Sequence, residues 1–206
     1  MKKIIFATGN AGKMKEIREI MEDLQIPVLS MKEAGLEAEI VEDGTTFEEN
    51  AVIKAKAIAG LSKCRNEDVV VLADDSGLEI DYLNKEPGIY SARYAGEDTS
   101  YDIKNQMLLD RLQGVPREKR TARFVCAIAA VVPGHEPIVV RGTIEGYIGD
   151  KPAGENGFGY DPIFYVPDLN CSTAELSPEE KNARSHRGNA LRAMREELKQ
   201  YISDGR

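Results

Sequence analysis

VVVLADDSGL, Val69–Leu78, is the stretch on which the reading of this chain turns. Five uninterrupted apolar residues, Val69–Ala73, lead into two adjacent carboxylates, Asp74 and Asp75, and then Ser76 and Gly77. A short apolar run rich in β-branched residues and closed by turn chemistry predicts a buried strand with a turn at its end. Ionised carboxylates there need a metal ion, basic side chains or water close by, because an unpaired charge in low dielectric is costly. In open α/β sheets ligands bind just past the carboxyl ends of strands. Two readings stand: a carboxylate-bearing strand end that binds a metal or activates water, or a capped, solvent-exposed turn, since Asp-Ser-Gly is also ordinary turn chemistry.

The 206 residues are enough for one large domain, or a two-lobed one, with a substantial core. A hydrophobic content of 42% beside 30% charged residues describes an ordinary soluble globular chain. The net charge of −8 argues against a nucleic-acid groove, because an acidic surface repels a polyphosphate backbone. It leaves room for a small anionic ligand, since local cations and helix N-termini dominate at short range. Cys64, Cys126 and Cys171 are odd in number and far apart, which opposes a disulfide framework or zinc site and favours a reducing cytoplasm. The opening MKKIIFATGN is too short an apolar run for a signal segment. No run approaches the roughly 18 residues of a membrane span, so no membrane partner is expected.

Outward from the central stretch, Lys2–Ala7 reads as a first strand and Thr8-Gly9-Asn10-Ala11-Gly12-Lys13 as a Gly-rich turn. A helix follows, with Met14, Ile17, Met21 and Leu24 on one face. Strand, Gly-rich turn and helix present backbone N–H groups and a positive helix end to a phosphate, and Lys13 adds a cation. Ala7 and Met14 stand where a Walker A loop needs Gly and Ser or Thr, so this is not that motif, and a plain tight turn remains the other reading. Ile26–Leu29 is a second strand candidate, followed by an acidic loop, Met31–Gly44, that contains Glu42. Thr46 and Glu49 fit a capping box ahead of a helix with Phe47, Ala51, Ala55 and Ile58 inward and Lys54 and Lys56 along it.

Beyond the aspartates, Leu78–Leu83 reads as a strand and Asn84–Thr99 as a packed crossover rather than a lid or a partner surface. A helix over Ser100–Leu112 is expected to bury Ile103, Met107, Leu108 and Leu112. Thr121–Val132 and Ile138–Ile148 form a β-hairpin, which with the parallel-type start implies a mixed sheet. In Gly149–Pro167, Phe158 stands between Gly157 and Gly159, either as a stacking platform for a planar base or as a plug onto the core. Ser177-Pro178-Glu179-Glu180 opens a short helix, Lys181 follows, and His186-Arg187 lies before a last helix from about Asn189.

ATGNAGK (Ala7–Lys13), TFEENAVIKA (Thr46–Ala55), ADDSGLEID (Ala73–Asp81), PGIYSARYAG (Pro87–Gly96), GFGYDPIF (Gly157–Phe164) and KNARSHRGNAL (Lys181–Leu191) together resemble the inosine triphosphate pyrophosphatase family, also called XTP/dITP diphosphatases. The motifs run in the family's order from the first strand to the last helix. The resemblance implies an α/β fold, elongated and two-lobed around a long mixed β-sheet with flanking helices, residues 1–206 forming one domain with its site in the interlobe cleft. It implies a homodimer and Mg²⁺-dependent hydrolysis of a nucleoside triphosphate to the monophosphate and pyrophosphate. In that pattern Thr8, Gly9, Asn10, Ala11, Gly12 and Lys13 hold the phosphates. Glu42 and Asp75 serve the metal, Asp75 accepts the proton of the attacking water, and Asp74 and Lys54 support the reaction. Ser76 contacts the substrate, and Phe158, Gly159, Tyr160, Asp161, Lys181, His186 and Arg187 line its nucleoside side.

The chemistry agrees with that pattern. A triphosphate needs Mg²⁺ and lysines to spread its charge before water can attack in line. Hypoxanthine and xanthine carry a 6-oxo acceptor where adenine carries an amino donor, so a donor, Arg187 or a backbone N–H, accepts the former and is left unpaired by the latter, a mismatch that can reach roughly 10⁴-fold. Guanine shares the 6-oxo group and has to be rejected through its 2-amino group. A Maf-like pyrophosphatase with another nucleotide preference and a non-catalytic nucleotide-binding protein of the same fold are the alternatives.

Overall fold

A computed structural model describes residues 3–8, 11–61 and 68–203. Gly9 and Asn10 of the Gly-rich turn, and Cys64, lie outside the described residues. In chain order the elements are β1 (Lys3–Phe6), α1 (Ala11–Met21), β2 (Val28–Ser30), α2 (Phe47–Ala59), β3 (Val69–Ile80), α3 (Tyr101–Arg111), β4 (Thr121–Val131), β5 (Ile138–Ile148), β6 (Phe164–Val166), β7 (Cys171–Ser172), α4 (Pro178–Arg184) and α5 (His186–Ser203).

The strands form one sheet in the order β2-β1-β3-β4-β5-β6-β7. β1 is parallel to both neighbours, with Ile4 opposite Val28 and Val70 and Phe6 opposite Leu72. The last pairs, β5 with β6 and β6 with β7, are antiparallel, so the sheet is mixed as the sequence implies. β4 and β5 are neighbours joined only by residues 132–137. A connection that short closes a hairpin and cannot make a parallel crossover.

The expected turn after Asp75 does not form. β3 runs unbroken through Asp74, Asp75, Ser76 and Gly77 to Ile80. The strand that ends is β1, whose last registered residue, Phe6, lies opposite Leu72. Ala7 N–H still donates to the Leu72 carbonyl at 2.8 Å, and the chain then leaves for α1. Asp74 and Asp75 thus stand just past the carboxyl end of β1, where the ligand rule for open sheets points. A short helical turn, Asp81–Leu83, replaces the last part of the strand expected over Leu78–Leu83.

Met1–Asp75, Cys126–Gly142 and Arg187–Arg206 make one compact unit, and Ser76–Val125 with Thr143–His186 the other. In the first, strand parity sorts the core. Ile4, Phe6, Val70, Leu72, Cys126 and Ile128 share a face packed by Met14, Ile17 and Met21 of α1 and by Leu191, Met194 and Leu198 of α5. Side chains alternate along a strand, so Asp74 belongs to that face and Asp75 to the other.

In the second unit Leu78, Ile80, Leu108, Leu112, Phe124, Ile148 and Phe164 form the core. The buried Arg120 guanidinium donates to the carbonyls of Leu112, Val115 and Gly149, closing the end of α3. The face of α3 is rotated from the expected one. Leu108, Leu109, Lys104 and Asn105 are buried, while Ile103 and Met107 are exposed. Lys104 is 1% exposed because its stem packs inward and its ammonium finds the Ala92 carbonyl at 2.6 Å and the Tyr101 ring at 4.8 Å. Asn105 donates to the Gly159 carbonyl. Polar residues with buried partners defeat an amphipathicity argument that counts only apolar side chains. Of Asn84–Thr99, expected to be packed, only Pro87 and Ser91 are buried, Ser91 Oγ accepting from Leu78 N–H, and most of the segment is exposed.

Leu72 is wholly buried in the first unit's core. Leu72→Ala is expected to lower unfolding free energy by about 2–5 kcal/mol in urea titration. A loss below about 1 kcal/mol would contradict this packing.

Candidate active site

Asp74 is the centre of the first unit's polar cluster, and only 4% exposed. Lys13, in the first turn of α1, donates to Asp74 Oδ2 at 2.9 Å. Arg187 of α5 brings Nε to 3.6 Å from the same oxygen, an ion pair beyond hydrogen-bond reach. Its guanidinium also lies 3.7 Å from Glu16, one turn along α1 from Lys13. Lys54 of α2 donates to the Asp74 carbonyl oxygen at 2.9 Å. Burial alone would raise the Asp74 pKa. The charges of Lys13 and Arg187, with the Lys13 hydrogen bond, overturn that and bring it from 3.8 down to about 2. Burial presses the Arg187 pKa down in turn, and Asp74 more than offsets it.

Asp75 meets different partners, as parity requires. Its Oδ2 accepts from Asn50 Nδ2 at 3.1 Å, and Asn50 Oδ1 accepts from Gly44 N–H at 2.9 Å. Lys54 Nζ reaches Glu42 Oε1 at 3.0 Å, which draws the acidic loop to α2. Asn50 escaped the sequence reading, although it stands one turn before Lys54 and therefore on the same helix face. A polar residue buried between Phe47 and Ala51 was the available signal. Thr46 caps α2 by accepting Glu49 N–H, but the Glu49 carboxylate returns to the N–H and hydroxyl of Thr45, one residue earlier than a simple box.

Thr8 is buried, its N–H donating to the Phe6 carbonyl. Ala11 and Gly12 are exposed in the first turn of α1. The structure thus brings Lys13, Glu42, Lys54, Asp74, Asp75 and Arg187 together within the first unit, and Ser76 belongs to the second. A cavity of about 640 Å³ in the first unit, lined by Asp43, Gly44, Val52, Ile53, Val139 and Arg141, adjoins the acidic loop but is lined by none of these six groups.

The second unit carries another buried carboxylate. Asp161 Oδ1 accepts from Thr173 Oγ1 at 2.8 Å, and Oδ2 accepts from Phe158 N–H at 2.8 Å and Lys181 Nζ at 2.5 Å. Gly157 has φ +77°, and a Cβ there would fall 2.2 Å from Asp161 Oδ2, so only glycine lets the loop cross this pair. Lys181 is delivered by α4, whose capping box is complete: Ser177 and Glu180 bond each other's backbone N–H.

Phe158 is 65% exposed, with the Lys181 ammonium 5.0 Å from its ring centre, so it does not plug the core. Tyr160 does: it is buried, and its hydroxyl donates to the Ser91 carbonyl. His186 stacks on Phe124 at 5.2 Å. Phe124, Asp161, Thr173, Lys181 and His186 line one cavity in this unit. His186 and Arg187 are the first residues of α5 rather than a linker before it, because Ser185 alone, extended at ψ 147°, separates the helices.

A mixed-sheet α/β fold with a cation-ringed aspartate beside a second carboxylate defines a protein that handles anionic ligands. The chain belongs to the Ham1 family, whose profile matches residues 4–197. It is 48% identical over 200 residues to a dITP/XTP pyrophosphatase of Clostridium perfringens, covering 97% of this chain and 98% of that one. It is 50% identical over 194 residues to the dITP/XTP pyrophosphatase of Bacillus subtilis, covering 94% and 96%. The solved Ham1 protein of Staphylococcus aureus superimposes with a TM-score of 0.87 at 44% identity, covering 97% of this chain and all of that one. The family resemblance read from the six motifs is thereby borne out.

Removing the Asp74 charge leaves Arg187 buried without it, so Asp74→Asn is expected to cost about 3–5 kcal/mol of stability at pH 7. Because the folded pKa is depressed, the charge's contribution is complete above about pH 4 and fades as pH falls toward 2. The stability gap between wild type and variant, followed by circular dichroism, should narrow by about 2 kcal/mol over that window, the worth of the depressed pKa. A gap independent of pH would contradict this account of Asp74.

Proposed function

We propose that this chain is a nucleoside triphosphate pyrophosphatase that hydrolyses the non-standard purine nucleotides ITP, dITP and XTP to the monophosphate and pyrophosphate. The observation that carries this reading is the convergence of Lys13, Lys54 and Arg187, from three helices, on the buried aspartate next to Asp75. The names of the full-length relatives support it.

In this reading the start of α1 and Lys13, with Thr8, Gly9, Asn10, Ala11 and Gly12, take the phosphates. Glu42 and Asp75 hold a divalent cation, Mg²⁺. Among the described residues no three His, Cys, Asp or Glu side chains form a ready metal cage. Mg²⁺ is commonly held by one or two carboxylates together with substrate phosphate oxygens, so this donor set fits an ion that arrives with the nucleotide. When bound, the ion spreads the triphosphate charge and makes a water more acidic. Asp75 takes the proton of the attacking water as the anhydride to pyrophosphate breaks. Lys13 and Lys54 offset the charge on the departing pyrophosphate. Asp74 keeps Lys13 and Arg187 in place.

Ser76 contacts the substrate, and Phe158, Gly159, Tyr160, Asp161, Lys181, His186 and Arg187 serve the nucleoside side. The exposed Phe158 ring stacks on the base, and donors facing the 6-oxo group select against adenine. Residues 1–206 work as one two-lobed domain, as a homodimer, in the cytoplasm. Among the described residues no helix is long and apolar enough to cross a membrane.

With Mg²⁺, ITP should yield equal amounts of IMP and pyrophosphate, with ATP and GTP much slower and activity abolished by chelation. Asp75→Asn should lower kcat by about 10²–10⁴-fold. Orthophosphate as the first product, binding of ITP without turnover, or full activity in Asp75→Asn would overturn the reading. Phe158→Ala should raise the KM for ITP by about 10–100-fold, the loss of one base stack. An unchanged KM would remove Phe158 from the nucleoside side.

A further inference from the structure

Asn50 is 1% exposed, and each end of its amide is bonded to a different segment of the first unit. Nδ2 donates to Asp75 Oδ2 on β3, and Oδ1 accepts the N–H of Gly44 in the acidic loop. The amide's orientation is dictated by chemistry: an ionised carboxylate can only accept and a backbone N–H can only donate. One helical turn later, Lys54 repeats the bridge between the same two segments, from the Asp74 carbonyl to Glu42. α2 therefore ties the acidic loop to the aspartate strand twice, once through an amide and once through an ammonium. The fit is tight. A Cβ on Gly44 would lie 2.7 Å from Asn50 Oδ1 and 2.8 Å from Glu49 Cβ, so the loop N–H reaches the amide only because residue 44 is glycine.

We propose that Asn50 is a positioning residue of the reaction centre: it fixes the Asp75 carboxylate and, through Gly44, the loop that carries Glu42, so that both carboxylates meet one divalent cation in register. This rests on the assignment of Glu42 and Asp75 to the metal made above. No other uncharged side chain of this size donates at one end and accepts at the other. An Asp here would set a second anion against Asp75, and an aliphatic residue would remove the amide's bonds to both Asp75 and Gly44. Partners that orient metal ligands in this way carry a recognisable signature, a loss of about 10–100-fold in metal affinity or activity with the fold intact.

The test compares wild type, Asn50→Leu and Gly44→Ala, each checked by thermal unfolding. Three quantities are read: kcat and KM for ITP, the Mg²⁺ concentration at half-maximal rate, and Mn²⁺ affinity by electron paramagnetic resonance with a non-hydrolysable α,β-methylene triphosphate present. Asn50→Leu should lower kcat by about 10–100-fold, raise the half-saturating Mg²⁺ and weaken Mn²⁺ binding by about 10-fold, with KM shifted less than about 3-fold. Gly44→Ala keeps the amide on Asp75 but displaces the loop, so it should weaken Mn²⁺ binding with a smaller loss of kcat. If both variants fold and keep kcat and Mn²⁺ affinity within about 3-fold of wild type, Asn50 is a structural residue only and the proposal falls. Should Asn50→Leu not fold, Gly44→Ala decides the matter by the same criterion. A wild-type enzyme that fails to release pyrophosphate from ITP would overturn the functional reading instead, while Mn²⁺ affinities would still judge the role of Asn50.

Discussion

A charged carboxylate taken out of water survives only if the surrounding chain brings charge to meet it. At Asp74 that condition recruits Lys13 from α1, Arg187 from α5 and Lys54 from α2. Such an arrangement contributes little net stability, because desolvating the ions consumes most of what their attraction returns. What it supplies is position. Three helices each meet one residue of β3 through these contacts.

The second unit uses the device again at smaller scale. Asp161 is buried and gathers Thr173, the Phe158 N–H and Lys181 on its two oxygens. One carboxylate fixes both the glycine-flanked loop and the cation on α4. The exposed ring of Phe158 is therefore not a loose aromatic on a flexible loop. Its backbone is held from beneath by an acid, and Lys181 lies against its face.

Much of this was legible in the chain itself. The apolar run Val69–Ala73, the helical spacing of Met14, Ile17 and Met21, and the Ser177–Glu180 cap carry their signals locally, and each formed where expected. The readings that failed depend on distant partners. Asp-Ser-Gly has turn chemistry, but in β3 the ladder continues through it. The burial of Lys104 drew no reading, because nothing nearby in sequence announces the Ala92 carbonyl that receives it. Asn50 was silent for the same reason: its two partners are Gly44, outside the helix, and Asp75 on β3. The separate duties of Asp74 and Asp75 were likewise out of reach of spacing, since neighbours in sequence differ only once a sheet gives them sides.

That last point bears on how the chain can change over time. Consecutive strand residues face opposite ways, and a shift of one exchanges every residue between the two faces. Asp74 looks toward α1 and α5 and Asp75 toward α2 only because of where each falls in the count along β3. A one-residue insertion or deletion between Val69 and Ala73 would turn each aspartate toward the other's partners while leaving composition and hydrophobicity almost untouched. The segment can drift in side-chain size, but its length is locked.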